Sequence, residues 1–174
     1  PGSDHLICTP WMLGERCPVS STTTRATLFN MTMVHTREHL MRAVYEGIGY
    51  NLRWILENYQ KDYGFACDNF RIIGGGALDA GWMQMIADIT GKNFAVVRDP
   101  RNAGAVGAAV VALIGLGELP GFEAAKDFVQ IEHRYSPNPE NRRIYDKLFA
   151  DYQNVYRSLK KAYQAANGER FTES

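Results

Sequence analysis

Arg71-Ile72-Ile73-Gly74-Gly75-Gly76-Ala77 is the stretch of this chain whose residue types come closest to chemistry. A short apolar strand that runs into glycines ahead of a helix offers backbone N–H groups with no side chains in the way, so a phosphate or a nucleoside can approach closely. The run lacks the Lys-Ser/Thr ending of a phosphate-binding loop and the spacing of a dinucleotide fingerprint, and a purely structural tight turn explains it equally well. Asp79 stands just ahead of an apolar-periodic helix and reads as its N-cap rather than as a catalytic carboxylate. His5, His35, His39 and His133 have no paired metal-ligand spacing. In Gly14-Glu15-Arg16-Cys17-Pro18, the plain reading is a surface turn with its own ion pair, and Cys17 has no visible base to make it a nucleophile.

The elements that would position the glycine turn follow from periodicity. Phe70 to Ile73 predicts a strand, and Trp82, Met85, Ile86 and Ile89 predict a helix closed by Gly91. Phe94 to Val97 predicts a second, buried strand broken by Asp99-Pro100. Ala103 to Leu116 predicts a helix whose small residues suit close approach to a neighbouring sheet or helix. Upstream, Leu6 to Leu13, with Pro10 inside it, reads as an edge strand or extended segment, Gly14 to Thr24 as a polar loop, and Ala26 to Val34 as a region that holds another strand. Leu40, Val44, Ile48, Leu52, Ile55 and Tyr59 predict a long helix capped by Thr36, with these residues as its apolar stripe. A last helix begins at Asn138-Pro139 and carries Ile144, Leu148, Tyr152, Val155, Leu159 and Tyr163, its tyrosines packing across the outside of the domain. The residues after Asn167 read as loose. Strands alternating with helices imply an α/β layer structure with parallel connections.

Composition narrows the function classes. The 174 residues fit one domain, with 45% apolar and 22% charged residues, ordinary for a globular protein. Lys plus Arg and Asp plus Glu number 19 each, so no net charge draws polyanions and nucleic acid is a poor partner. The apolar run from Val106 to Leu116 is too short for a membrane span, no secretory signal opens the chain, and the three cysteines form neither a disulfide framework nor a zinc pattern. A cytoplasmic protein is the expectation, with a homodimer left open.

Four ordered segments together resemble the FGGY family of carbohydrate kinases. They are Gly14 to Pro18; Ala26 to Met31 continuing through His39 to Glu46; Ile72 to Ala77 with Trp82 and Ala87-Asp88; and Asp99 through Gly107-Ala108-Ala109. The second departs at Asn30, where the family usually has Gly. Glu15 to Pro18, Thr36 to Leu40 and Pro139-Glu140-Asn141 are most similar to xylulose kinases, with gluconate and ribulose kinases behind. The resemblance implies an incomplete, ribonuclease H-like C-terminal domain of the actin-like ATPase class, with helices packed on a mixed sheet. Residues 1–174 would supply part of the nucleotide side, 138–167 being its C-terminal helix. It implies ATP and Mg²⁺ as cofactors and a small sugar, a ketopentose such as xylulose, as substrate. Gly75, Gly76 and Ala77 would line the nucleotide site and Gly74 would shape the turn. Some relatives place an Asn three residues after this Ala to contact adenine, where this chain has Ala80. The sugar pocket and catalytic Asp would belong to an N-terminal domain before residue 1, so no catalytic residue is expected here and the isolated chain should be inactive. The alternative is a non-catalytic actin-like binding or assembly module, its glycine turn structural and its tyrosine-rich last helix contacting a partner.

Overall fold

The computed structural model describes residues 1–168, and these form two compact units. One comprises residues 1–66, 88–90 and 137–168, and the other residues 67–87 and 91–136. Along the chain run β1 (Ile7–Thr9), β2 (Thr27–Phe29), α1 (Arg37–Tyr63), β3 (Asn69–Ile72), α2 (Ala80–Thr90), β4 (Asn93–Val97), α3 (Ala103–Gly115), β5 (Ile131–Tyr135) and α4 (Pro139–Asn167). The expectation of a loose end after Asn167 falls, from residue 169 on, outside the described residues.

In the first unit β1 and β2 pair antiparallel, Cys8 opposite Leu28. Both are shorter than the sequence suggests. Pro10 ends β1 by turning the chain, with Met12 N–H donating to Pro10 O at 3.0 Å. Asn30 ends β2 in the left-handed region at φ 68°, a conformation that Asn tolerates better than most residues and Gly adopts freely. That backbone requirement explains how Asn stands where the resembling family usually has Gly.

Helix α1 starts where Thr36 predicted. His39 closes its first turn, its Nδ1 accepting from the Thr36 N–H at 3.1 Å in the place a Glu or Gln usually takes. Its buried face is not the predicted stripe. Val44, Ile48 and Tyr59 are exposed, while Ala43, Glu46, Gly47, Gly49, Tyr50, Arg53 and Trp54 are buried. Two glycines decide this rotation: a Cβ on Gly47 would collide with the Cys8 carbonyl of β1, and one on Gly49 would lie 2.7 Å from Ile89 Cδ1. Close approach thus offsets the roughly 1 kcal/mol that each mid-helix glycine costs.

Helix α4 begins with Asn138 Oδ1 accepting from Glu140 N–H at 2.9 Å and Pro139 in the first turn. Its tyrosines do not lie on the outside: Tyr145, Tyr152 and Tyr156 are buried with Leu148, Phe149 and Val155. They join Trp11, Tyr50 and Trp54 in an aromatic cluster, with centroids 5.5 Å apart for Trp11–Tyr152 and 5.4 Å for Tyr50–Tyr152. Burial pushes the Tyr50, Tyr145 and Tyr152 hydroxyls above the usual tyrosine range, so these phenols stay neutral.

Glu46 is the polar centre of this unit. Only 1% exposed, it accepts from Gly2 N–H, Ser3 Oγ–H and Arg42 Nε–H, each at 2.8 Å, and from the Tyr145 hydroxyl at 3.1 Å. The first two of these bonds fasten a run of four consecutive residues at positive φ: Gly2 at 91°, Ser3 at 45°, Asp4 at 51° and His5 at 62°. Left-handed backbone costs a non-glycine residue roughly 1–2 kcal/mol, so the turn persists because the carboxylate over-determines it. A neighbouring network ties α1 to α4: Arg53 donates to Asp146 at 2.7 Å and to Glu57 at 2.8 Å, and its guanidinium lies 4.2 Å over the Phe149 ring. Asp88 accepts from Asn138 N–H at 2.8 Å and Asn141 Nδ2 at 2.7 Å.

The second unit is a three-stranded mixed sheet in the order β3-β4-β5. β3 and β4 are parallel, Phe70 opposite Phe94, and β5 runs antiparallel to β4. β4 is the buried centre, with Phe94, Ala95, Val96 and Val97 all buried. β5 is not signalled by the sequence, because Ile131-Glu132-His133-Arg134-Tyr135 is polar in its middle and forms an edge whose central residues face water. In α3 only Val110 is buried. No atom comes within 4 Å of a Cβ on Gly104, Gly107 or Gly115, so the close approach expected for its small residues does not occur here.

Replacing Glu46 by Ala should destabilise the protein by about 3 kcal/mol, because it leaves buried donors and the Arg42 charge without their acceptor. Glu46→Gln keeps one acceptor oxygen and should lose less. Urea denaturation checks this order, and an unchanged midpoint for Glu46→Ala would remove the carboxylate from the account of the left-handed turn.

Candidate functional site

The glycine turn lies at the carboxyl end of β3, beside the turn that follows β4. Parallel pairing brings these two ends to the same edge of the sheet, where open α/β sheets bind ligands. A backbone bond joins the turns: Gly74 N–H donates to Pro100 O at 2.8 Å.

Each residue of the turn has its own local role. Gly74 sits at φ 96°, a conformation that requires glycine, and its N–H is spent on Pro100. Gly75 through Leu78 form a single 3-10 turn. Ala77 is 4% exposed and its N–H donates to Gly74 O at 3.2 Å, while Asp79 N–H donates to Gly76 O at 3.2 Å. The N–H groups of Gly75 and Gly76 have no hydrogen-bond partner among the described residues, and both residues are exposed. The turn thus offers two adjacent, solvent-facing donors in a stretch from Ile73 to Ala80 without a basic side chain.

Asp79 is the cap the sequence indicated, its Oδ1 accepting from Trp82 N–H at 2.9 Å. The amino end of α2 is therefore occupied by a carboxylate of the chain itself, and the free donors belong to the 3-10 turn before it.

The three glycines are not equivalent. A Cβ on Gly76 would run into the six-membered ring of Trp82, so this glycine makes room for a side chain of its own fold. Gly75 faces open space, the nearest atom being Arg101 Nε at 3.9 Å from an ideal Cβ. Sequence reasoning could not separate the two, because the contact that distinguishes them comes from Trp82, in the following helix.

A cavity of about 270 Å³ lies in the same unit, lined by Ile73, Val97, Val106, Phe128 and Val129, with Arg71 and Arg98 among its walls. Among the described residues, no group of three or more His, Cys, Asp or Glu side chains is placed to hold a metal ion. No helix of the described residues is long and apolar enough to cross a membrane.

In the first unit, the loop after β1 closes through paired backbone bonds between Glu15 and Ser21, each 2.8 Å. The Glu15 carboxylate accepts from the N–H groups of Arg16 at 2.7 Å and Cys17 at 3.2 Å. The ion pair expected between Glu15 and Arg16 is not formed, since that carboxylate is taken up by the backbone of its own loop. The cysteines are free: Cys8 is buried, with its thiol pushed up by burial, Cys17 is exposed, and Cys67 donates to Asn69 O at 3.0 Å.

Comparison with known proteins places this geometry in a class. Residues 1–116 match the C-terminal domain of the FGGY family of carbohydrate kinases, and the chain belongs to that family. It is 32% identical over 171 residues to a gluconokinase of Bacillus licheniformis, covering 98% of this chain and 33% of that protein. It is 34% identical over 161 residues to a xylulose kinase of Bacillus subtilis, covering 91% and 32%. Ligand-bound xylulose kinase from Lactobacillus acidophilus superposes with a TM-score of 0.84 at 27% identity, over 95% of this chain and 34% of that one. Gluconate kinase from the same organism gives 0.83 at 27% identity, over 95% and 33%. The chain thus spans about a third of the length of the relatives it matches. The expected fold class holds: it is that of the FGGY kinases, actin-like ATPases in architecture, with helices packed on a mixed sheet.

The glycines predict an order of stabilities. Gly75→Ala should leave the melt within about 0.5 kcal/mol of the parent, Gly74→Ala should cost about 1–2 kcal/mol through its positive φ, and Gly76→Ala about 1–3 kcal/mol through the Trp82 ring. Chemical denaturation of the three variants checks the ranking, and a Gly76→Ala variant as stable as the parent would mean that the ring moves aside without strain.

Proposed function

We propose that the protein carrying this chain is a sugar kinase that transfers the γ-phosphoryl group of ATP to a hydroxyl of a ketopentose, xylulose, and that Gly74, Gly75, Gly76 and Ala77 form part of its nucleotide site. The observation that carries this reading is the pair of unengaged, exposed N–H donors at Gly75 and Gly76, at the carboxyl edge of a parallel strand pair in a chain of the FGGY family. Gly74 sets the turn and orients it through Pro100, Ala77 anchors it in the interior, and Gly75 and Gly76 present their N–H groups to nucleotide phosphate. Ala80, exposed at the start of α2, offers no hydrogen bond to a base, so the turn's own contribution is to the phosphates and ribose.

Phosphoryl transfer needs positioning and charge neutralisation, with Mg²⁺ bridging the phosphates and a base orienting the acceptor hydroxyl. Within that division of labour, what this chain supplies is the hold on the nucleotide. The sugar pocket and the base lie in the remainder of the protein, and residues 1–174 alone should release no ADP in response to sugar. Relatives named for xylulose and for gluconate match comparably, which makes gluconate the substrate to test against xylulose.

Two measurements on the full-length protein check this. With ATP and a panel of xylulose, ribulose, gluconate and glycerol, xylulose should give the highest kcat/KM. A preference for gluconate would replace the substrate and keep the kinase, and no turnover of any acceptor would reject both. Gly75→Val, which places its side chain in open space, should raise the KM for ATP about tenfold while the sugar KM and the melt stay near parental values. Unchanged ATP kinetics would exclude Gly75 from the nucleotide site.

A further inference from the structure

The glycine turn has donors and no charge, since no Lys or Arg occurs between Ile73 and Ala80. A triphosphate held by two backbone N–H groups alone would keep its negative charge uncompensated on the protein side. Three arginines lie on β3 and in the turn after β4. Arg98 is engaged, donating to Gln130 Oε1 at 3.3 Å. Arg71 lies before the turn, on the wall of the apolar cavity. Arg101 remains, and the structure places it at the turn: its Nε lies 3.9 Å from where a Cβ on Gly75 would be.

This position is built. Arg101 occupies the corner of the turn between β4 and α3, which Asn102 N–H closes onto Asp99 O at 3.1 Å. Asp99 adopts φ 50°, a conformation unfavourable to a non-glycine residue, and its carboxylate is committed to Asn102 Nδ2 at 2.7 Å. The nearest acid in sequence is therefore already engaged, and the Arg101 guanidinium has no hydrogen-bond or ion-pair partner among the described residues. The Gly74 N–H bond to the neighbouring Pro100 O holds this corner against the glycine turn. The result is a free, exposed, permanently charged fork beside two free N–H donors, the combination that suits a phosphate oxygen.

We propose that Arg101 contacts the phosphate chain of the bound nucleoside di- or triphosphate, supplying the positive charge that the glycine turn lacks. The proposal rests on the nucleotide reading above and adds to it a residue and a chemistry: affinity for nucleotide should depend on phosphate through Arg101, and affinity for the nucleoside should not.

The test is titration of the full-length protein with ADP and with adenosine, for the parent and for Arg101→Ala, Arg101→Met and Arg101→Lys. Arg101→Met keeps much of the side-chain stem and guards against a packing effect. Loss of one charge-assisted contact should weaken ADP about ten- to a hundredfold in the Ala and Met variants, with Lys retaining part of the affinity. Adenosine affinity, the sugar KM and the melting curve should stay at parental values while the KM for ATP rises. ADP binding at parental strength in Arg101→Ala and Arg101→Met overturns the proposal and leaves the nucleotide site standing. Equal losses for ADP and adenosine overturn it too, since they mark a structural role. A parent protein that binds neither ligand rejects the nucleotide reading and this proposal with it.

Discussion

The parallel pairing of β3 with β4 is the constraint on which the site depends. Because the strands run the same way in register, Asn69 with Asn93 through Ile72 with Val96, both chains leave the sheet at one edge. Their exit turns then meet there, fastened by the Gly74 N–H bond to Pro100 O. Both turns use positive φ, at Gly74, where glycine adopts it freely, and at Asp99, where it is less favourable. That geometry spends the Gly74 and Ala77 N–H groups within the protein and leaves those of Gly75 and Gly76 without partners among the described residues. An antiparallel partner would have put the two exits at opposite edges and left Arg101 far from the glycines.

The first unit solves a different problem with a different device. Its buried carboxylate, Glu46, gathers donors from the chain start, α1 and α4, and the left-handed turn from Gly2 to His5 is held because the Gly2 and Ser3 bonds to that carboxylate would be lost if it relaxed. Around it the packing is aromatic and close, with glycines 47 and 49 letting α1 settle against Cys8 and Ile89. Both units hold unfavourable backbone in place by satisfying hydrogen bonds around it, and they differ in outcome: Glu46 is filled on all sides, whereas the glycine turn is left with donors to spare.

Much of this was legible in the residues. The strand, glycine turn and helix from Phe70 to Gly91 were readable from punctuation, as were the Thr36 start of α1, the Asp79 cap and the Asn138-Pro139 start of α4, because capping is local chemistry. What was not legible is set by tertiary contact. The buried face of α1 follows Gly47 and Gly49 rather than the larger Val44 and Ile48, since close approach to β1 outweighs side-chain size. β5 escapes detection as a polar edge strand stabilised by β4. Gly74, Gly75 and Gly76 look alike in sequence, and only the positive φ of the first, the open space at the second and the Trp82 ring over the third tell them apart. Arg101 carried no signal of its own, because its proximity to Gly75 arises from strand pairing across residues distant in the chain.

The central claim is that the unpartnered N–H groups of Gly75 and Gly76 receive nucleotide phosphate, and amide hydrogen exchange reads those groups directly. In the full-length protein without ligand, both should exchange rapidly, having no acceptor. Saturating ADP should slow exchange in a peptide spanning residues 73–79, while adenosine should slow it far less. Exchange in that peptide that stays as fast with bound ADP as without it would contradict the account.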